Sequence, residues 1–182
     1  MIPVFILGIL LRYGPQHGYM IKKIISEQMA DFSKIKLPTI YYHLEEMQKK
    51  GLLKANKEKL TSRPEKVVYS ITEKGIEEFN IKLRNTLKFD YRPTFNSDSS
   101  FFFSEFLEKG EILDSLSSYI SKLEKIISHI ELHQKEIINL VPKKARKQTK
   151  IIFNHHLLHF RAEKQWAKDA IELLTTEELN ER

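Results

Sequence analysis

The side chains best suited to chemistry lie in residues 36–53, which read KLPTIYYHLEEMQKKGLL. Thr39, Tyr42 and His43 fall on one face if this stretch is a helix, because residues three and four apart are neighbours there. Hydroxyl and imidazole groups donate and accept hydrogen bonds. Lysines stand at both ends of the stretch. This combination predicts contacts to phosphates and base edges.

The stretch that carries these groups is predicted to form one helix of roughly three to four turns. Pro38 suits its first position because the N–H that proline lacks is not needed there, and Gly51 suits the position just past its end. Ile40, Leu44 and Met47 recur at helical spacing and form an apolar stripe. The polar groups are therefore expected on the exposed face, although a surface helix without a ligand would show the same pattern.

Two further helices are predicted to precede this one. Residues 3–12 are almost entirely apolar and should be buried, with Gly14 as part of their stop signal. The second helix is expected from His17 to about Met29. Its buried repeat begins at Tyr19 or Met20 and continues through the isoleucines that follow.

The pattern changes from helix to strand after residue 51. Residues 52–56 and 65–72 are predicted as a β-hairpin whose loop, residues 57–64, is polar and basic. Thr72 is expected to cap a fourth helix with three inward side chains, Ile76, Phe79 and Leu83. Three helices, a basic hairpin and a fourth helix predict a winged helix-turn-helix, whose recognition helix enters the major groove of DNA.

The candidate DNA contacts fall into two groups. Tyr41 lies at the edge of the apolar stripe, so completion of the core is the alternative to a phosphate contact for this residue. Arg63 has no helical neighbours to pair with and is the clearest candidate for a phosphate or minor-groove contact. The predicted phosphate contacts are Lys36, Tyr41, Ser62, Arg63 and Lys66, and the predicted base contacts are Thr39, Tyr42 and His43.

The second half of the chain is predicted to be helical. Residues 1–87 form the winged helix, residues 88–100 a linker, and residues 101–182 two antiparallel, coiled-coil-like helices that dimerise the chain. Two heptad series support this: Ile112, Leu116, Tyr119, Leu123, Ile126, Ile130, His133, Ile137 and Leu140, then Phe153, Leu157, Phe160, Lys164, Ala167, Ile171 and Leu174. The candidate dimerisation residues are Leu116, Tyr119, Leu123, Ile126, Ile130, Ile137, Leu157, Phe160, Trp166 and Ile171.

Charge and composition limit the class of protein. All of the net charge of +6 lies in residues 1–87, which contain 15 Lys and Arg against 9 Asp and Glu, and this indicates a module that binds a polyanion. The chain has no cysteine, which is compatible with the cytoplasm. Its apolar start is about half as long as a membrane span requires, so neither a membrane partner nor a signal peptide is expected.

Catalytic and metal-site patterns are the alternatives to DNA binding. The chain has six glycines and contains no phosphate-binding glycine loop, no nucleophile elbow and no HExxH motif, so an enzyme is not expected. His129 and His133 are four residues apart, as are His155 and His159, and this spacing can place two imidazoles on one metal. The second heptad series places His155 and His159 away from the seam between the two helices, which holds His133. Surface or interface histidines are therefore the favoured interpretation, with no metal and no cofactor.

The first 85 residues resemble the PadR family of transcriptional regulators in three strings, ILGILLRYGPQHGYMIKK, PTIYYHLEEMQKKGLL and SRPEKVVYSITEKG. The resemblance implies a cytoplasmic homodimer that binds a palindromic operator in double-stranded DNA and usually represses. It also assigns Tyr41 as the family's recognition-helix tyrosine and Arg63, Pro64, Lys66 and Tyr69 as its wing motif. Glu65 and the pair Glu45 and Glu46 depart from the family's basic positions.

The resemblance also implies a small effector, since some relatives respond to phenolic acids or hydrophobic drugs. The aromatic residues of the helical half are the candidates for such a pocket, although aromatic residues at helical spacing are more often core. They are Tyr119, Phe153, Phe160 and Trp166. A winged helix that docks proteins instead of DNA is the remaining alternative, and salt-sensitive duplex binding separates the two.

Arg63 provides the first test. Arg63→Ala should weaken binding across DNA sequences and lower the slope of log affinity against log salt by about one unit, because one phosphate contact is lost. Duplex titrations at several salt concentrations measure this slope, and an unchanged slope would remove Arg63 from the set of contacts.

Overall fold

The computed structural model describes residues 2–29, 35–58, 66–87, 95 and 97–180, with only the backbone for residues 58, 66 and 177–180. The chain divides into two compact units, Met1–Tyr91 and Arg92–Arg182. Each unit has its own helices and its own apolar core, and each is described by itself. Among the described residues, no helix combines the length and the apolar character needed to cross a membrane.

The N-terminal unit has the predicted winged-helix order. Its apolar helices come first, its hairpin follows, and a further helix closes it. The elements are α1 (Ile2–Tyr13), β1 (Gln16–His17), α2 (Gly18–Gln28), α3 (Leu37–Lys49), β2 (Leu53–Glu58), β3 (Lys66–Ile71) and α4 (Glu73–Asn85).

The sheet has three antiparallel strands in the order β1, β3, β2, whereas the sequence predicted two. The added strand is two residues long, with Gln16 opposite Tyr69 and His17 opposite Val68. Two residues are too few to show the alternation that marks a strand. The Nδ1 atom of His17 also lies 3.1 Å from the carbonyl oxygen of Val67, so the start of α2 is tied to the hairpin.

The core of this unit is apolar and is built mainly by α1, α2 and α3. The predicted stripe of α3 is confirmed, since Ile40, Leu44 and Met47 are all buried. Two predictions about other helices were wrong. Tyr19 and Met20 are exposed, so the buried apolar side chains of α2 begin at Ile21, and Leu83 near the end of α4 is also exposed.

A hydroxyl joins the end of α3 to the start of α4. The Oγ1 atom of Thr72 accepts from the backbone N–H of Gly75 at 3.1 Å, which confirms the predicted cap. The same hydroxyl lies 2.8 Å from the carbonyl oxygen of Gly51 and 3.0 Å from that of Leu52. Gly51 has a φ of 72°, which glycine adopts without strain, so the chain can turn sharply at this point.

The C-terminal unit is dominated by two long antiparallel helices. They are preceded by a short helix, α5 (Asp98–Phe102), which overlaps the predicted linker 88–100. The long helices are α6 (Lys109–Leu140) and α7 (Arg146–Asn180). Cross-helix contacts fix the antiparallel direction, since Tyr119 contacts Glu163 and Glu131 contacts Arg161.

The seam between α6 and α7 departs from the predicted heptads of α6 at two positions. Ile127 is buried there with 8% exposure, while the predicted Ile126 is 38% exposed. Leu116, Leu123, Ile130 and Ile137 keep the predicted seven-residue spacing on both sides of this position. With about 3.6 residues per turn, the third and fourth residues after Leu123 both lie near the seam, and it is the fourth that is buried. Leu140 is likewise exposed instead of buried, because the helix ends there.

Candidate nucleic-acid interface

The exposed face of α3 brings the predicted base contacts together. Tyr42 is 61% exposed, and its ring meets that of His43 edge-on with 5.3 Å between centroids. Thr39 lies one turn earlier and is half-buried, and Lys36 is exposed directly ahead of the helix. Donors and acceptors of three kinds therefore share one surface, next to a cation at the helix N-terminus.

Tyr41 packs on the core and keeps part of its side chain exposed, and its phosphate contact stays a prediction. A Cβ atom built on Gly18 would lie 2.5 Å from Cε1 of Tyr41, so the ring covers the first residue of α2. The side chain is nevertheless 39% exposed. Only glycine allows this approach of ring to backbone, and the crossing of α2 and α3 therefore depends on this pair.

Tyr69 lies beneath this surface and belongs to the core. It is buried on β3, and burial raises the pKa of its phenol, with the charge of Glu45 adding to the effect. The phenol therefore remains protonated across the physiological range. A wing aromatic at this position supports the sheet and is not itself available to DNA.

Glu46 on α3 forms an ion pair with Lys49 on the same helix. The Nζ atom of Lys49 lies 3.0 Å from Oε1 of Glu46, and this hydrogen bond and charge lower the pKa of Glu46. The same partner raises the pKa of Lys49. The pair lies at the surface, with the Lys49 side chain largely exposed, so it adds little to stability. Its effect is to compensate one negative charge on a surface expected to meet phosphates.

The wing is described only at its base. Lys66 opens β3, where its backbone pairs with that of Glu58. Ser62 and Arg63 lie outside the described residues, and so does the side chain of Lys66. Their assignment as phosphate contacts stays a prediction.

Tyr19 is a surface residue that the sequence reading missed. It lies in the first turn of α2 with 65% exposure, whereas the buried repeat was expected to begin at Tyr19 or Met20. The N-terminus of a helix carries unpaired backbone N–H groups and a partial positive charge, both of which favour phosphate. The sequence signal for an exposed Tyr19 was its place in the string His17-Gly18-Tyr19 at the start of a helix. The apolar repeat of the helix favoured a buried position instead.

The four histidines of the long helices form two separate pairs. His155 and His159 are exposed, with 3.1 Å between their Nε2 atoms. His129 stacks on His133 at 6.0 Å between centroids, and the latter meets Phe153. Within the part of the chain that the structure describes, no group of three or more potential ligands could hold a metal ion.

The predicted dimerisation residues are divided between two surfaces. Most lie inside the unit's own α6–α7 seam, and their role in dimerisation stays a prediction. Trp166 is exposed and contacts Phe101 edge-on, at 5.5 Å between centroids. The residues buried in the seam are Leu116, Leu123, Ile130, Ile137 and Leu157, and those half-buried are Tyr119, Phe160 and Ile171.

A second apolar face on α7 was not predicted. Ile151, Leu158 and Leu173 are each more than half exposed, and their spacings of seven and fifteen residues are close to whole numbers of helical turns. The seam residues Phe153 and Ala167 lie on the opposite side of the same helix. We call these three residues the outer stripe. The sequence did not predict this stripe because α7 has apolar residues on two faces, and the heptad series follows the other face.

Comparison with known proteins identifies the same fold. The sequence profile of the Transcriptional regulator PadR-like family matches residues 6–81. Among solved structures, Bacillus subtilis PadR in complex with operator DNA has a TM-score of 0.76 at 19% identity, covering 94% of this chain and 96% of that one.

Two further solved structures extend over nearly the whole chain. A PadR-like transcriptional regulator from Bacillus cereus has a TM-score of 0.70 at 20% identity, covering 97% of this chain and 99% of that one. Bacillus subtilis PadR in complex with p-coumaric acid has a TM-score of 0.75 at 18% identity, covering 96% and 99%. No curated protein sequence matches the chain.

The contact between Gly18 and Tyr41 can be tested by a double-mutant cycle. Gly18→Ala should destabilise the chain by about 1 to 3 kcal/mol, because the added methyl group collides with the ring. In a Tyr41→Ala background the same change should cost far less, since alanine otherwise favours a helix. Urea unfolding followed by circular dichroism measures both. Equal costs in the two backgrounds would show that the ring does not pack on Gly18.

Proposed function

We propose that the chain is a dimeric, sequence-specific DNA-binding regulator, and we start from the match of residues 6–81 to the PadR-like family of transcriptional regulators. The observation that carries the proposal is the exposed face of α3. Its aromatic and hydrogen-bonding side chains are held on a fully apolar core, as a recognition helix requires. The operator complex of Bacillus subtilis PadR, which has the same fold, supports this choice.

Within this proposal, base edges are contacted from the middle of α3. Thr39, Tyr42 and His43 offer hydroxyl and imidazole groups that can donate or accept, so they can discriminate between base pairs in the major groove. Phosphates are contacted from the periphery of the same surface and from the wing. The proposed phosphate contacts are Lys36, Tyr41, Ser62, Arg63 and Lys66, to which we add Tyr19.

We propose that two copies associate through the C-terminal helices. The outer stripe of α7 is exposed within one chain, and a soluble chain gains free energy when a partner covers such a surface. A two-fold dimer presents two α3 helices, which reach successive major grooves when they are about 34 Å apart. We further propose that the protein acts in the cytoplasm as a repressor, and that it binds without catalysing a reaction.

Lys36 tests the DNA-binding surface. Lys36→Ala should lower the salt slope by about one unit per bound chain and weaken binding to all duplexes alike, because it removes a phosphate contact. Lys168→Ala is the matched control, since Lys168 is exposed on α7 and its loss changes the net charge equally. Fluorescence anisotropy with labelled duplex at several salt concentrations measures both slopes. Equal slopes for the two variants would contradict a specific surface on α3.

The outer stripe has a test of its own. Leu158→Glu should shift the chain from dimer to monomer by at least tenfold in dissociation constant, because a charge would be buried in the interface. Leu132→Glu is the control, since Leu132 on α6 is 58% exposed against 56% for Leu158 and lies outside the stripe. Sedimentation equilibrium measures both constants. If the two variants dimerise equally well, the interface lies elsewhere.

A further inference from the structure

A cavity of about 670 Å³ lies within the C-terminal unit, between the segment that contains α5 and the two long helices. Its size is typical of sites that hold drug-sized molecules. Aromatic rings line much of it. They belong to Phe95, Phe101, Tyr119 and Trp166.

The charged residues that line this cavity are acidic. Glu111 and Glu163 line it, and none of the described residues that line it is Lys, Arg or His. Glu111 has no hydrogen-bond or ion-pair partner among the described residues. An organic anion would therefore meet two carboxylates and no compensating cation, which disfavours an anionic phenolic acid as the ligand.

Tyr119 fixes the orientation of one carboxylate. Its hydroxyl donates to Oε2 of Glu163 at 3.1 Å across the two helices. Burial raises the pKa of Tyr119, and the neighbouring Glu163 raises it further, so the phenol keeps its proton and remains the donor. One oxygen of Glu163 is occupied in this way, and the other can face a ligand.

We propose that this cavity binds an apolar organic cation, such as a quaternary ammonium or phosphonium compound with aromatic substituents. The face of an aromatic ring attracts a cation, and tryptophan does so most strongly. Carboxylates at the wall add charge complementarity, while the apolar lining accommodates the substituents. An effect of the cation on DNA affinity would rest on the proposed regulator function, but binding of the cation does not.

The test uses two hydrophobic ions of matched shape and opposite charge, tetraphenylphosphonium and tetraphenylborate. Trp166 is the chain's single tryptophan, so its fluorescence reports directly on the cavity. Fluorescence and isothermal titration calorimetry on the full chain, without DNA and in sodium buffer, give affinity and stoichiometry. We expect one phosphonium per chain with quenching of Trp166, and no quenching by the borate at the same concentration.

Variants distinguish binding of the cation in the cavity from its general binding to the protein surface. Glu111→Gln and Glu163→Gln should each weaken phosphonium binding by about threefold to tenfold, because each removes one attractive charge. Glu172→Gln is the control, since it lies nine residues after Glu163, on the opposite face of α7, and should bind as the unmodified chain does. Circular dichroism confirms that each variant is folded.

Each outcome decides the proposal. Equal binding of both ions, unchanged phosphonium affinity in both cavity variants, or no phosphonium binding would overturn it. A cation that binds as expected but leaves duplex affinity unchanged would support the site and remove its regulatory role. A chain that binds the cation but no duplex would contradict the proposed function and leave the cation site standing.

Discussion

The contact of the Tyr41 ring with Gly18 is the constraint on which the N-terminal unit depends. It brings α2 and α3 close enough for Leu44 to be fully buried, and it sets which face of α3 remains outside. Burial of an aliphatic side chain of this size contributes about 1.5 to 3 kcal/mol, so the stripe of α3 holds the helix firmly. Tyr42 and His43 can then stay solvated without cost to the fold.

Much of this unit could be predicted from the sequence because its signals are local and periodic. Pro38 and Gly51 mark the two ends of α3, and the apolar repeat between them fixes its buried face. Thr72 marks the next helix start in the same way. Strand β1 was not predicted because it is too short to show a period. The exposure of Tyr19 was not predicted because an aromatic residue beside isoleucines fits the pattern of a core position.

The C-terminal unit was harder to predict because its signals conflict. Its α7 is apolar on both sides, so heptads identified the seam but not the outer stripe. On α6, residues 126 and 127 both lie near the seam, and heptad spacing selected Ile126 where Ile127 is buried. The aromatic cavity joins Phe95, Tyr119 and Glu163, which are far apart in sequence and share no pattern. Periodicity within a helix carries no information about which side chains of different helices meet.

The central claim is that two α3 helices of a dimer read DNA in successive major grooves. Selection of bound duplexes from a random-sequence library, followed by sequencing, tests it without knowledge of the operator. Such a dimer should enrich an inverted repeat whose half-site centres lie about 10 base pairs apart. A library that stays unenriched, or that yields a single half-site without its inverted copy, would contradict it.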